Sequence, residues 1–211
     1  MNFYKILKQK RKGPAAARNL GIKNAKGDII AFTDADCLIP RNWLSTFLRY
    51  YKKYPNTAGI GGYLEPNANN LIAKLERLKN KHLHGMEDEE ILGRKNVPTG
   101  FTNNMTYKKE ILLEFHGFNE KFKKPAGEDP ELKNRVAEKY DLLYIPLKVK
   151  HLETYNLNYF LRQILKRGTE KELNKMSNTY MLIEIVKNFP QIVYNLTKKS
   201  KRYKENYKDK K

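Results

Sequence analysis

One cysteine, one tryptophan and no long apolar run set the first limits on this sequence. With Cys37 alone, neither an intrachain disulfide nor a cysteine metal cluster can form, which fits a reducing compartment. No apolar run approaches the ~20 residues of a membrane span. Met1 to Lys12 is basic and holds no apolar segment long enough for a secretory signal. Nothing repeats. Acids are scarce: 23 Asp and Glu stand against 42 Lys and Arg, a formal net charge of +19. Such a surplus attracts nucleic acid, anionic lipid or phosphorylated small molecules without choosing among them. It is uneven, with much of it after Lys198. What remains is 211 residues, 40% of them hydrophobic. That is enough for one domain with a real core, or a domain plus appendages.

The chain is organised around Gly27-Asp28-Ile29-Ile30-Ala31-Phe32-Thr33-Asp34-Ala35-Asp36. A short apolar run of strand type ends in two acids one residue apart. In extended backbone, residues i and i+2 point to the same side. Asp34 and Asp36 are therefore expected to present two carboxylates to one point at the end of a buried strand, where open α/β sheets take ligands. Carboxylates there suit Mg²⁺ or Mn²⁺. The same residues read equally as a strand entering a polar turn. Cys37, which follows, reads as a small buried side chain rather than a nucleophile.

Before this stretch, Gly13-Pro14-Ala15-Ala16-Ala17-Arg18-Asn19-Leu20-Gly21 predicts a helix opened by proline and favoured by alanine. Arg18 and Asn19 are its polar residues, there to meet solvent or cap the helix, or to hold a phosphate or the acid-bearing loop. After it, Pro40 to Tyr54 predicts a helix with Trp43, Leu44, Phe47, Leu48 and Tyr51 at helical spacing. Thr57 to Leu64 is a glycine-rich strand or turn, where paired glycines mark either a bulge or close approach to a ligand. Leu71, Ile72, Leu75, Leu78 and His82 line one face of a helix over 69–84. Glu87 to Glu90 is an acidic patch expected to be solvated. Val97 to Tyr107 is a loop entering a strand, and Lys108 to His116 a helix stopped by Gly117. Asp129 before Pro130 reads as an N-cap followed by an N1 proline, with Glu128 and Glu131 suiting the helix start. Leu142–Ile145 and Lys148–Leu152 are two short strands around Pro146, the second carrying His151. Helices are predicted over 157–167 and 179–189, then a charged tail.

Taken together, Gly-Pro-Ala-Ala-Ala-Arg-Asn-x-Gly, then strand-Asp34-Ala35-Asp36, then Gly127-Glu128-Asp129, then His151 resemble glycosyltransferase family 2. The turn Gly117-Phe118-Asn119-Glu120 resembles that family's lead-in to the Glu-Asp helix. The likeness covers Met1 to about Gly168, with four separated motifs in the family's order. It implies an α/β fold: a truncated GT-A-like, Rossmann-like mixed sheet flanked by helices. On this reading residues 1–168 form a partial GT-A domain, 169–197 a C-terminal helical segment and 198–211 a basic tail.

The resemblance also implies roles. Asp34, Asp36 and His151 match the metal set that holds a nucleotide diphosphate through Mg²⁺ or Mn²⁺. Asp129 matches the catalytic base, which deprotonates an acceptor hydroxyl for attack on the sugar with inversion. Arg18, Asn19, Asp34, Gly100, Asn103, Asn104 and Glu128 match positions around donor and acceptor. Gln163 and Arg167 echo a later Gln/Arg motif. The implied partners are a nucleotide-diphosphate sugar and a hydroxyl acceptor, lipid-linked or polysaccharide. Members of the family begin with strands that bind the nucleoside, and this sequence opens near the helix that follows them. A fragment, a complementing N-terminal chain and lost donor binding are the three expectations this leaves open. Two readings of other classes stand beside it: a basic nucleic-acid-binding module, and a non-catalytic scaffold at an anionic membrane surface. The expected location is the cytoplasm, at the inner membrane face for a lipid-linked acceptor.

Overall fold

The structure is a computed structural model that describes residues 5–10, 12–84, 88–122, 127–156 and 158–159. The chain divides into two compact units, residues 1–65 with 86–152, and residues 66–85 with 153–211.

The first unit is built on a six-stranded sheet. Its strands are β1 (Ile29–Phe32), β2 (Cys37–Leu38), β3 (Gly59–Pro66), β4 (Ile91–Gly93), β5 (Met105–Lys108) and β6 (Leu142–His151). The order is β1-β5-β3-β6-β2, with β4 also on β6. Antiparallel pairs join β1 to β5, β3 to β5, β2 to β6 and β4 to β6. β3 and β6 start side by side, with the Ala58 N–H donating to the Asp141 carbonyl at 2.9 Å, so the sheet is mixed. Helices α1 (Pro14–Asn24), α2 (Trp43–Lys53), α4 (Lys109–Glu114) and α5 (Glu128–Lys139) flank it.

Strand alternation sorts the core into two clusters. Leu142 and Tyr144 of β6 join Ala15, Ile22, Met105, Leu112, Phe118, Leu132 and Val136. Leu143, Ile145 and Val149 point the other way and join Trp43, Phe47, Tyr51 and Ile60. Both faces of β6 are thus buried over Leu142–Ile145, which is why that stretch reads as a continuous apolar run.

Several expectations change. The helix expected over Pro40 to Tyr54 begins at Trp43, because Pro40 to Asn42 form the turn that starts it, with the Trp43 N–H on the Pro40 carbonyl at 3.0 Å. Trp43, Phe47 and Tyr51 are buried, but Leu44 and Leu48 are exposed. The two strands expected around Pro146 are one. β4 covers 142–144 and β2 covers 150–151, so Pro146 falls in the gap between them and its missing N–H interrupts neither ladder. The glycines of β3 leave room for neighbouring side chains. A Cβ on Gly59 would meet the Tyr107 ring at 2.6 Å, and one on Gly61 or Gly62 would meet Thr99 or Asn104. Glu90 is not simply solvated: it accepts hydrogen bonds from Tyr50, Tyr54 and Lys53 and ties α2 to the chain before β4.

In the second unit, α3 (Leu71–His84) is capped by Asn70, whose Oδ1 accepts the Ala73 N–H at 3.0 Å. Ala73 is buried while Leu71 and Leu75 are exposed, so the face expected inward is turned outward at both leucines. Arg77 donates to the Pro66 carbonyl, and Asn70 donates to the Tyr155 carbonyl. Gln163, Arg167, the predicted helices beyond 159 and the basic tail lie outside the described residues.

Candidate active site

The two acids of the 27–36 stretch leave β1 as a turn, not as extended backbone. The Cys37 N–H donates to the Asp34 carbonyl at 3.1 Å, closing a tight turn over Asp34–Cys37. The i, i+2 argument for a shared direction therefore fails here. β1 is also not a buried strand: among the described residues it ends the sheet, and only Ile30 of its four residues is buried. The turn feeds β2, and β2 pairs Cys37 with His151. The Leu152 N–H donates to the Asp36 carbonyl at 2.8 Å and closes the same junction. His151 Nε2 consequently stands 3.4 Å from Asp36 Oδ2.

The Asp34 carboxylate also lies near Arg18, 4.0 Å from its Nη2. Burial pushes its carboxyl up; Arg18 opposes this and Asp36 reinforces it. Burial also pushes the Cys37 thiol up to about 11, against the lowering hydrogen bond within the Asp34 turn. The thiol is thus kept protonated, in keeping with a non-nucleophile.

Arg18 is the hub. Its Nη1 lies 2.7 Å from Glu128 Oε1 and 3.3 Å from Asp129 Oδ1, and its guanidinium sits 5.4 Å from the centre of the Phe118 ring. Asn19 fixes that ring's backbone from both sides. Its Nδ2 donates to the Phe118 carbonyl at 2.9 Å and to Glu120 at 3.0 Å, and its Oδ1 accepts the Phe118 N–H at 2.8 Å. Of the two roles left open for these residues, holding the acid-bearing elements is the one their contacts display. The Gly117-Phe118-Asn119-Glu120 turn is reached through His116 and Gly117, both with positive φ, and a Cβ on Gly117 would meet Asn19.

Asp129 is not the N-cap. Gly127 is, at φ 96°, and Glu128, Asp129 and Pro130 are the first three residues of α5. Proline is tolerated there because the first-turn N–H groups have no intrahelical partner. The Asp129 side chain is free to face the loop before β5. Thr102 donates to its Oδ2 twice, from the backbone N–H at 3.0 Å and from Oγ1 at 2.8 Å. Asp129 Oδ1 is buried and accepts no hydrogen bond, leaving Arg18 as its electrostatic neighbour. Burial pushes the Asp129 carboxyl up, against the lowering pull of Thr102 and Arg18. The first turn of α5 is a favourable place for both acids.

The loop residues divide. Gly100 has φ 102° and packs against the Lys133 side chain of α5. Asn103 is half-buried at the loop's edge. Asn104 is 1% exposed, and its amide is fully engaged inside the protein. It accepts from Trp43 Nε1 at 2.8 Å and donates to the Tyr63 and Leu147 carbonyls at 3.1 and 2.8 Å. Asn104 therefore shapes the wall behind the loop. The structure brings Arg18, Asp34, Glu128 and Asp129 together around one guanidinium, and Asp36 and His151 together one turn away. Thr102 was passed over in the sequence because a hydroxyl in a polar loop has no periodicity to mark it. Phe118 was quoted only as part of a turn.

Among the described residues no three His, Cys, Asp or Glu side chains converge on a metal position. The residues present still fit a divalent cation. An exposed carboxylate oxygen and an imidazole nitrogen 3.4 Å apart can share one ion, and such ions commonly complete their shell with water and phosphate oxygens.

The mixed sheet flanked by helices is an α/β architecture similar to that of GT-A glycosyltransferase structures. Residues 2–115 match the family described as Glycosyl transferase family 2, and the chain belongs to that family. The matched span stops before α5 and β6, so it does not reach Glu128, Asp129 or His151. A pre-mycofactocin glycosyltransferase of Mycobacterium tuberculosis is 28% identical over 129 residues, which are 60% of this chain and 27% of that protein. The chain thus spans about a quarter of that relative's length. Two solved structures share the fold. The mannosyltransferase PcManGT of Pyrobaculum calidifontis, in complex with GDP-Man and Mn²⁺, superposes with a TM-score of 0.51 at 18% identity, over 73% of this chain and 41% of that one. S. aureus TarS 1-349, in complex with UDP-GlcNAc, does so with a TM-score of 0.52 at 16% identity, over 71% and 42%.

Proposed function

We propose that this chain carries out an inverting sugar transfer from a nucleotide-diphosphate sugar to a hydroxyl group. The observation that carries the reading is Asp129: a carboxylate at the start of α5 with one oxygen held by Thr102 and the other buried, without a donor, beside Arg18. Asp129 takes the proton of the acceptor hydroxyl. That oxygen bonds to the anomeric carbon as the carbon–phosphate-oxygen bond breaks, its electron pair leaving on the diphosphate. One such displacement inverts the centre. Arg18 and Glu128 hold the base helix against the acid turn, and Asn19 holds the Phe118 turn against α1. Gly100 and Asn103 offer a loop edge to the sugars, with Asn104 fixing that loop from behind.

We assign Asp36 and His151 as the protein's ligands for Mn²⁺ or Mg²⁺, with Asp34 beside them. The ion supplies positive charge against the departing diphosphate when bound. The mannosyltransferase solved with GDP-Man and Mn²⁺ supports a nucleotide-diphosphate donor and a divalent ion. Among the described residues no helix is long and apolar enough to cross a membrane. A cytoplasmic protein acting on lipid-linked acceptors at the inner membrane face accords with the surplus of basic residues.

The test is turnover of a panel of UDP- and GDP-sugars with Mn²⁺ and hydroxyl acceptors, for wild type and Asp129→Asn. Asn keeps the size of the side chain and removes the base, so turnover is expected to fall about a hundred-fold or more. Equal turnover would overturn the assignment of the base.

A further inference from the structure

We propose that Thr102 is the positioning residue for Asp129: with two donors on Oδ2 it fixes the carboxylate in place and holds it in the ionised form that a base needs. The inference rests on Asp129 being the base.

A carboxylate at a helix start has two chemically equivalent oxygens and can rotate to exchange them. Here they are made different. The Thr102 N–H and Oγ1–H both reach Oδ2, at 3.0 and 2.8 Å. Two donors on one oxygen, one of them main-chain, fix the plane of the carboxylate as well as its position. Oδ1 is buried and has no donor among the described residues. The nearest charge is Arg18 Nη1 at 3.3 Å, which is occupied by a closer contact with Glu128 at 2.7 Å. Among the described residues, the hydrogen bonds that hold the carboxylate therefore come from Thr102.

The loop that carries Thr102 is anchored to the same helix as its target. Lys133, one turn after Asp129, packs against Gly100 and donates to the Lys95 carbonyl at 2.9 Å. Within the loop, the Asn104 N–H donates to the Phe101 carbonyl at 3.1 Å. Thr102 itself is 2% exposed, so its hydroxyl has no solvent to choose instead. The charged and titratable groups facing Asp129 are Arg18 from α1, Glu128 from α5 and Tyr107 from β5. None of these donates to Oδ2. A threonine that only fills space beside the loop would leave the proton affinity of Asp129 unchanged when the hydroxyl is lost, whereas a donor that holds the ionised carboxylate would not.

That difference is the experiment. In the full chain labelled with ¹³C-aspartate, the Asp129 carboxyl resonance is assigned by its disappearance in Asp129→Asn and titrated by NMR. In Thr102→Val the midpoint is expected to rise by about one pH unit, the size of one hydrogen bond to an ionised group. In Thr102→Ser it is expected to return to the wild-type value. Should the valine variant not fold, Thr102→Cys serves, because its thiol is a weak donor of similar size and the midpoint must rise there too. An unchanged midpoint in a folded Val or Cys variant overturns the proposal. Retained turnover in Asp129→Asn overturns the base and leaves the shift intact, so the two failures are distinguishable.

Discussion

Asn104 joins three parts of the fold through one amide. It holds the indole of α2, the end of β3 and the middle of β6, and it stands where a Cβ on Gly62 would be. Asn104→Ala leaves the buried Trp43 indole N–H without its acceptor and removes one donor from each of the part-buried Tyr63 and Leu147 carbonyls. The expected loss is about 1–3 kcal/mol, the cost of one buried orphan; urea unfolding followed by tryptophan fluorescence would measure it. Asp129 should behave oppositely. Its carboxyl is pushed above the ordinary value by burial, so the folded state holds the proton more tightly than the unfolded chain does. The stability this contributes is full below the ordinary carboxylate value and is lost as pH rises through the raised one. Asp129→Asn should therefore be at least as stable as wild type near neutral pH, with its advantage fading in acid. Thermal unfolding at a series of pH values would show it, and a variant that loses stability mainly at neutral pH would contradict the sign. For the cation, Asp36→Asn and His151→Ala should each weaken Mn²⁺ binding about tenfold or more, as read by electron paramagnetic resonance in the presence of uridine diphosphate. The acids of this site were legible one by one because Asp-Ala-Asp and Gly-Glu-Asp are short motifs. Their directions were not, because a turn at Asp34–Cys37 and a cap at Gly127 are decided by neighbours far away in sequence.

Elements were legible where their own residues dictate them. The helix from Pro14, the helix past Gly127 and the loop into Met105 follow from proline, glycine and apolar spacing. Leu132, Val136 and Ala137 face inward as the 3.6-residue period requires. β6 was split in two because Pro146 is a local stop signal, and only the identities of its neighbours reveal that its missing N–H is not needed. The exposure of Leu44 and Leu48 was likewise invisible, since helical spacing does not say how wide the buried stripe is. β3 gives a sharp prediction. Gly62→Ala would drive a Cβ into the Asn104 amide and the Leu147 carbonyl, one of them main chain. The expected cost is about 1–3 kcal/mol, with a lower unfolding midpoint and a disturbed Trp43 indole N–H resonance. Gly21, by contrast, has open space around it, and Gly21→Ala within α1 should stabilise by about 0.5–1 kcal/mol.

At the scale of the molecule, a chain of net charge +19 gathers four carboxylates, Asp34, Asp36, Glu128 and Asp129, near one another on the sheet unit. On the proposed function, the general surplus would steer an anionic donor toward the site and a divalent cation would offset its four carboxylates. Association of a nucleotide-diphosphate sugar with the Mn²⁺-loaded protein should therefore slow several-fold between low and moderate salt. Stopped-flow mixing would measure this, and a salt-independent rate would remove the steering role. The pairing of β2 with β6 has a further consequence, for how the sequence can change in length. Two residues of β2 read two residues of β6, Cys37 against His151 and Leu38 against Lys150. β4 holds the other end of β6 at Leu142–Tyr144. One residue inserted between those clamps would bring Lys150 opposite Cys37, and an ammonium group would then stand beside Asp36 where the imidazole had been. A single codon, placed as far off as Pro146, would set a tethered cation against the Asp36 carboxylate.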